Sequence, residues 1–478
     1  MKFNLLLKWA VAAMVVCGAV LSCTKSDATV TVKRERARYT ILIYGNAVAR
    51  MDHVIEGTWE QLKPMLNDST DVRVLVMYKY GTKEEKPGDF QAKYGRMGDL
   101  MQFELTSETD LTKLHEEAAI PLPKYQLYDS MCLAADLDYI KEEAPADNYI
   151  LVLWGHGGGF DIVHDRPDNM LTKGVLYDEN LDGKALNMYQ LADALATGDT
   201  HFKFLMFHNC LMGNIETLTE VQPYADYFFV ATHILASLGA PVVQLVTQLK
   251  KSQSYDFEPI ARNIMTELRR IYNTREGFIP EMKENMNSIN LDFKMVRSSS
   301  LTSLNNNISF FVNRLLELYP TLSDEAKNQM MAGCIYSYEA QSYPYLIDLK
   351  KYVQSVASKI NDERLNSDAD DIAACLDDAL FERWDSSAQG WDGLKEFSLS
   401  IMLPYHDFLR YPVSEDSKYT AAESYYPSSF NRRTGWARWM DANTTFPTKW
   451  TAIGPPPDFE FTWDYLKDVL ENEKRPRE

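Results

Sequence analysis

Five short runs of apolar, β-branched and aromatic residues constrain this chain most: Tyr39–Tyr44 (YTILIY), Val72–Tyr78 (VRVLVMY), Tyr149–Trp154 (YILVLW), Phe202–Phe207 (FKFLMF) and Phe228–Ala231 (FFVA). A half-exposed strand alternates apolar with polar residues. Runs that are apolar almost throughout have no face to offer water and belong in a sheet covered on both sides. Helix-like stretches lie between them, at Val54–Leu66 and Met188–Leu195. Buried strands alternating with helices predict an α/β fold around a mainly parallel central sheet. Beyond about residue 250 the pattern changes. Ile260, Ile264, Leu268 and Ile271 recur at helical spacing, as do Leu304, Ile308, Phe311, Leu315 and Leu318. The expected organisation is therefore a catalytic α/β region over 37–250. A helix-rich region follows over 251–478, with a late strand at Phe397–Leu403 that stops at Pro404.

The first residues read differently. Lys2 and Lys8 accompany an apolar run from Trp9 to Leu21, which leads into Ser22-Cys23. That run is shorter than the roughly 20 residues of a spanning helix and has the layout of a signal peptide. Ser22 before Cys23 resembles a bacterial lipobox, in which the cysteine receives lipid and becomes the new N-terminus. Residues 1–22 are thus expected to be removed, Cys23 to be lipidated, and the polar stretch 23–36 to act as a tether. The protein would then be exported and anchored to the bacterial cell envelope, at the outer membrane or surface, touching membrane only through its N-terminal lipid. The other reading is a plain secretory signal in which Cys23 is incidental.

Charge and cysteine usage exclude some functions. The formal net charge of -19 opposes a nucleic-acid partner, because phosphate binding needs a basic face. Besides Cys17 and Cys23, the chain carries Cys132, Cys210, Cys334 and Cys375, with no CxxC pair to suggest zinc. No metal site is expected. Two disulfides are open to an exported protein, but apolar surroundings favour buried free thiols at Cys132, Cys334 and Cys375.

Two of the buried strands end in reactive residues. The third runs into Gly155-His156-Gly157-Gly158-Gly159 and the fourth into His208-Asn209-Cys210. In an open parallel sheet, loops at the carboxyl ends of neighbouring strands meet in one crevice, which would bring His156 to Cys210. A thiol is only slightly ionised at neutral pH, so a nucleophilic cysteine needs a base or a positive end nearby. His156 is the candidate base. The helix-like stretch Leu211–Leu218 would put Cys210 at a helix N-terminus. Gly157 lets its N–H approach a substrate oxygen and, with the Cys210 N–H, is the candidate oxyanion hole.

The stretches YTILIYGN (39–46), ADNYILVLWGHGGGF (146–160), GVLYDEN (174–180) and FHNCLMGNIETL (207–218) resemble those of the clostripain-like cysteine peptidases, relatives of caspases and gingipains. SINLDFKMV (288–296), YLIDLKKYV (345–353) and FSLSIMLP (397–404) extend the resemblance. It implies a caspase-like α/β/α sandwich, a protein or peptide substrate, and a dyad at His156 and Cys210. No cofactor follows, the calcium requirement stays open, and a monomer is expected.

One departure bears on specificity. The family commonly has Asp-Ala-Cys where this chain has His208-Asn209-Cys210, and that aspartate helps to bind arginine or lysine. Acidic residues are also missing from Ala231–Ala236. With His208, Asn209, Thr232 and His233 as the expected substrate-binding residues, the pocket has no carboxylate for a cation. The two histidines would add positive charge below about pH 6. On the opposing reading, Glu216 or Asp226 points into the pocket instead. Two rivals differ in class. HGGGF also matches the oxyanion loop of α/β-hydrolases, but no GxSxG elbow follows. A surface binding protein that kept the peptidase fold without turnover would retain the same residues.

Overall fold

The computed structural model describes residues 34–46, 52–82, 87–88, 90–120, 126–160, 174–178, 184–233, 235, 241–274, 276, 292–330, 346–385, 397–402 and 425–443. Cys23, Cys334 and residues 24–33 of the expected tether lie outside them.

The apolar runs become strands with both faces covered. β1 (Ala37–Asn46) pairs in parallel with β2 (Val72–Lys79) on one side and β4 (Ala146–Trp154) on the other. β4 pairs with β8 (Phe202–His208), and β8 with β9 (Ala225–Val230), again in parallel. Antiparallel strands extend both edges: β3 (Leu100–Leu105) on β2, and β10 (Asp292–Arg297) on β9, followed by β12 (Glu382–Asp385). The eight strands lie in the order β12-β10-β9-β8-β4-β1-β2-β3.

Side-chain alternation divides this sheet between two cores. Tyr39, Ile41 and Ile43 of β1, Ile150 and Val152 of β4, and Phe204 and Met206 of β8 face one way. There they pack with Ile55 and Trp59 of α1 (Asp52–Leu62). Leu42, Tyr44, Leu151, Leu153, Leu205 and Phe207 face the other way. They meet Leu133 and Leu137 of α2 (Ser130–Glu143), Leu191 and Leu195 of α3 (Met188–Thr197) and Leu218 of α4 (Ile215–Val221). Fully burying one such side chain is worth about 1.5–3 kcal/mol, so the pattern strongly fixes the register of every strand. The result is the expected three-layer α/β/α arrangement. The α3 start is set locally: the Asn187 side chain accepts from the Gln190 N–H while Gln190 reaches back to the Asn187 N–H.

The region beyond residue 250 is helix-rich, as its stripes predict, with α5 (Val242–Lys251), α6 (Phe257–Thr274), α7 (Ser300–Leu318), α8 (Leu349–Ile360) and α9 (Glu363–Ala379). It also supplies β10 and β12 to the main sheet, so residue 250 falls inside one compact unit, Arg36–Glu478. The late strand is shorter than expected. It begins only at Ser400, covers Ser400–Met402 (β13) with Leu403 outside the described residues, and pairs with β11 (Leu346–Asp348) outside the main sheet. Cys132 and Cys375 are half-buried free thiols, and burial pushes the Cys132 thiol up to about 11. Among the described residues no helix is long and apolar enough to cross a membrane.

Candidate active site

The chain leaves β1 towards β2 on one side and returns through β4 on the other. A crevice opens at the carboxyl ends of the strands where the order reverses in this way. β4 ends there in Trp154, opposite His208 of β8. Their rings stack 3.6 Å apart, with 17° between planes.

Beyond Trp154 the chain enters β5 (His156–Gly157), the edge of a small antiparallel sheet with β6 (Val175–Asp178) and β7 (Lys184–Leu186). His156 lies opposite Tyr177 there, and the Gly158 N–H donates to the Gly174 carbonyl at 2.9 Å. The imidazole is thus carried on a paired strand, half-buried, at the mouth of the sheet.

Cys210 sits on the turn that follows β8, also half-buried. The two strand ends are joined directly. The Gly155 N–H donates to the His208 carbonyl at 3.2 Å, and the Asn209 side-chain amide donates to the Gly155 and His156 carbonyls at 2.9 and 3.0 Å. Gly157 is pressed against the turn. A Cβ there would lie 2.6 Å from both the Asn209 Cβ and the Cys210 carbonyl, and 3.1 Å from the Cys210 nitrogen. Gly159, at φ +69°, makes a second close approach, 2.6 Å from the Leu211 carbonyl to its would-be Cβ. The structure therefore brings His156, Gly157 and Cys210 together across 54 positions of sequence.

The helix after Cys210 differs from expectation. α4 begins at Ile215 behind an Asn214 cap, so Cys210 is not at a helix N-terminus. Leu211 instead takes a left-handed backbone conformation, φ +63°, which an L-residue adopts at a cost of about 1–2 kcal/mol. A strained residue persists only where its surroundings over-determine it. Here the Leu211 N–H donates to the His233 carbonyl at 3.1 Å, the Gly213 N–H to the Ala231 carbonyl at 2.8 Å, and the Leu235 N–H to the Cys210 sulfur at 3.2 Å. The loop after β9 thus supplies a hydrogen-bond donor to the sulfur.

The four expected substrate-binding residues are all buried. His208 stacks on Trp154, and Asn209 uses its amide on the β4 side. Thr232 and His233 donate their backbone N–H groups to the Asp292 carboxylate. Burial lowers the His208 imidazole to about 3. Burial also lowers His233 to about 4, against the pull of Asp292 and helped by Lys294. Neither ring gains charge near pH 6, which corrects the expectation from its ordinary pKa. The alternative acids lie elsewhere. Glu216 accepts from the Met402 N–H at 3.0 Å and Tyr425 hydroxyl at 2.9 Å. Asp226, at the amino end of β9, pairs with His201 at 2.8 Å and Lys203 at 3.0 Å.

Sequence reasoning missed the acids that do adjoin this loop. Asp292 and Lys294 of β10 form a fully buried ion pair, and Asp385 of β12 lies 3.8 Å from the Lys294 ammonium. Burial raises Asp385 to about 6 despite Lys294. An Asp-x-Lys pair on one strand face was the available signal, but only the pairing of β10 with β9 brings it to the loop that meets the Cys210 turn.

Residues 58–382 match the sequence pattern of the clostripain family. The chain belongs to the clostripain family of cysteine peptidases. It is 27% identical over 224 residues to clostripain of Hathewaya histolytica, an alignment covering 44% of this chain and 40% of that protein. The chain thus matches well under two thirds of that relative's length. Among solved structures it resembles iotapain, a secreted C11 cysteine protease of Bacteroides thetaiotaomicron, with TM-score 0.52 and 13% identity. That similarity covers 84% of this chain and all of iotapain. It also resembles an inactive zymogen C11 protease of Parabacteroides distasonis, with TM-score 0.50 and 15% identity over 84% of this chain and 99% of that one. At those identities the likeness concerns the fold.

Proposed function

We propose that this clostripain-family member is an envelope-tethered endopeptidase that hydrolyses peptide bonds through Cys210 and His156. The observation that carries this reading is the close packing of Gly157 on the Cys210 backbone, with His156 beside it on the same two-residue strand. In the reaction His156 takes the thiol proton and the sulfur attacks the scissile carbonyl. The oxyanion that forms is received by the Gly157 and Cys210 N–H groups. His156 then protonates the departing amine, leaving an acyl-enzyme that water cleaves with His156 again as base. Both residues are polar groups at the end of buried strands, where water is partly excluded and such interactions are strongest.

The anchor and the specificity belong to the same proposal. The Ser22-Cys23 junction supports lipidation at Cys23, with the protein held on the envelope by its lipid alone and acting as a monomer on protein or peptide substrates. Position 208 carries no carboxylate, and Asp292 is already engaged by Lys294 and the 231–233 backbone. This supports a peptidase without strict arginine or lysine preference. A catalytically silent binder would present the same fold, so reactivity decides between them.

Labelling with an acyloxymethyl-ketone probe and peptide hydrolysis test the reading together. Residues 24–478 should be labelled at Cys210 and should hydrolyse peptides, and both Cys210→Ala and His156→Ala should abolish hydrolysis while remaining folded. Full hydrolysis by Cys210→Ala would end the proposal. Slow labelling that His156→Ala leaves unchanged would favour the silent binder. For the anchor, the full-length protein should partition into detergent, and Cys23→Ser should release it.

A further inference from the structure

The loop after β9 gives the sulfur its described hydrogen-bond donor, yet nothing in the His156 side of the site explains how that loop is held. The explanation lies in β10. Its pairing with β9 sets Lys294 opposite Val230, the last residue of β9, so Asp292 extends beyond the end of β9. There the Asp292 carboxylate accepts the Thr232 N–H at 3.1 Å on each oxygen and the His233 N–H at 3.0 Å. It also accepts the Thr232 hydroxyl. The Lys294 ammonium bonds the same carboxylate and reaches the Thr232 Oγ1 at 3.3 Å. Asp292, Lys294, Thr232 and His233 are all fully buried. From this anchored loop come the contacts with the nucleophile turn: the His233 carbonyl to Leu211, the Ala231 carbonyl to Gly213, and the Leu235 N–H to the Cys210 sulfur.

Resting on the reading of Cys210 as nucleophile, we propose that Asp292, neutralised by Lys294, is a positioning residue. By accepting the Thr232 and His233 N–H groups it holds the loop from which the Leu235 N–H meets the Cys210 sulfur, and so favours the thiolate. The chemistry requires both members of the pair. A buried carboxylate can bind several backbone N–H groups at once, but alone it would carry a large desolvation cost, which the adjacent ammonium offsets. A hydrogen bond to the charged form of a group lowers its pKa, and this donor stands where no helix terminus is available. Among the described residues, the titratable groups of the elements that meet at the sulfur are His156 on β5, His208 on β8 and His233 on the loop, with Asp292, Lys294 and Asp385 behind it. His208 and His233 are held neutral by burial, and the Asp292 and Lys294 charges cancel. Asp385, raised to about 6 and set against Lys294, is the acid of the group that changes charge near neutrality, and it is present in all variants alike, which leaves the Leu235 donor as what Asp292 controls.

The pH dependence of iodoacetamide alkylation at Cys210, followed by mass spectrometry on residues 24–478, tests this without substrate. Asp292→Asn keeps the size of the side chain but turns donors towards the loop N–H groups. It should raise the alkylation midpoint by about one pH unit and lower kcat more than it raises KM. Thr232→Val removes one bond to the same carboxylate and should move the midpoint in the same direction by about half as much. If Asp292→Asn does not fold, the Thr232→Val midpoint decides. Midpoints within about 0.2 unit of the unsubstituted protein in the folded variants would overturn the proposal and leave Asp292 a structural residue only. The two readings fail separately: hydrolysis surviving in Cys210→Ala removes the nucleophile, whereas an unmoved midpoint removes only the positioning role.

Discussion

The turn that carries Cys210 is gripped from two sides by different chemistry. On the β4 side the grip is neutral: the Asn209 amide on two carbonyls and a glycine pressed against the cysteine backbone. On the β9 side it is ionic, a buried carboxylate and ammonium acting through a loop. Neutral bonds and close packing fix geometry but do not respond to charge. The ionic side fixes geometry through a charged pair, and the loop it holds supplies the Leu235 N–H to the sulfur. With Cys210 as the proposed nucleophile, the difference assigns placing it and tuning it to separate parts of the sheet.

Breaking the packed side should have the largest effect. Gly157→Ala would force a methyl into atoms 2.6 Å away, and displacing a reacting group by even 1 Å costs roughly 100-fold. A loss of about 100- to 1,000-fold in kcat is expected, with the fold retained by circular dichroism. Asn209→Ala comes next. Losing two amide bonds should lower kcat/KM roughly 10- to 100-fold and stability by about 1–3 kcal/mol. The comparison is sharpened by the pH profile. It should keep its shape in Asn209→Ala, because no charge is altered, and an alkylation midpoint displaced as in Asp292→Asn would show that the two sides are not distinct.

Specificity follows with a smaller effect. Since burial lowers His208 to about 3 and His233 to about 4, both are largely neutral above pH 5, and the ratio of arginine to neutral-residue cleavage should be nearly constant from about pH 5 to 8. If the enzyme proves arginine-selective, Asp385 is the described acid of the ionic side with a buried oxygen lacking a hydrogen-bond partner among the described residues. Asp385→Asn should then abolish the selectivity. The smallest effect concerns Glu216, which burial raises to about 7. Between its unfolded value, near 4.5, and about 7 the native state holds the extra proton, so stability falls as pH rises through that window. Glu216→Gln should raise the melting temperature by a few degrees near pH 8 and change little near pH 5, as calorimetry would read.

The neutral side was largely legible in the sequence. Apolar runs ending in GHGGG and HNC announce strand ends with reactive residues, because composition and chemistry coincide within a few positions. The helix expected directly after Cys210 was displaced because Leu211 turns left-handed and Asn214 caps a later start. His208 and His233 were expected to gain charge near pH 6, since sequence gives residue type and not burial. The ionic side was illegible for a topological reason. Asp292 acts on Thr232 across 60 positions, and only the antiparallel register of an edge strand connects them.

The late segments of the chain have a consequence measured in time. The Ser400 N–H bonds the Gly213 carbonyl, Met402 and Tyr425 bond Glu216, and Ser429 bonds Glu220, so residues near the end brace those just after the nucleophile. Tyr425 is made 209 residues after Glu216. At translation rates of about 5–20 residues per second, roughly 10–40 s pass between the two. Throughout that interval the nascent polypeptide carries the Cys210 turn and the helix that follows it without the contacts that Tyr425 and Ser429 supply.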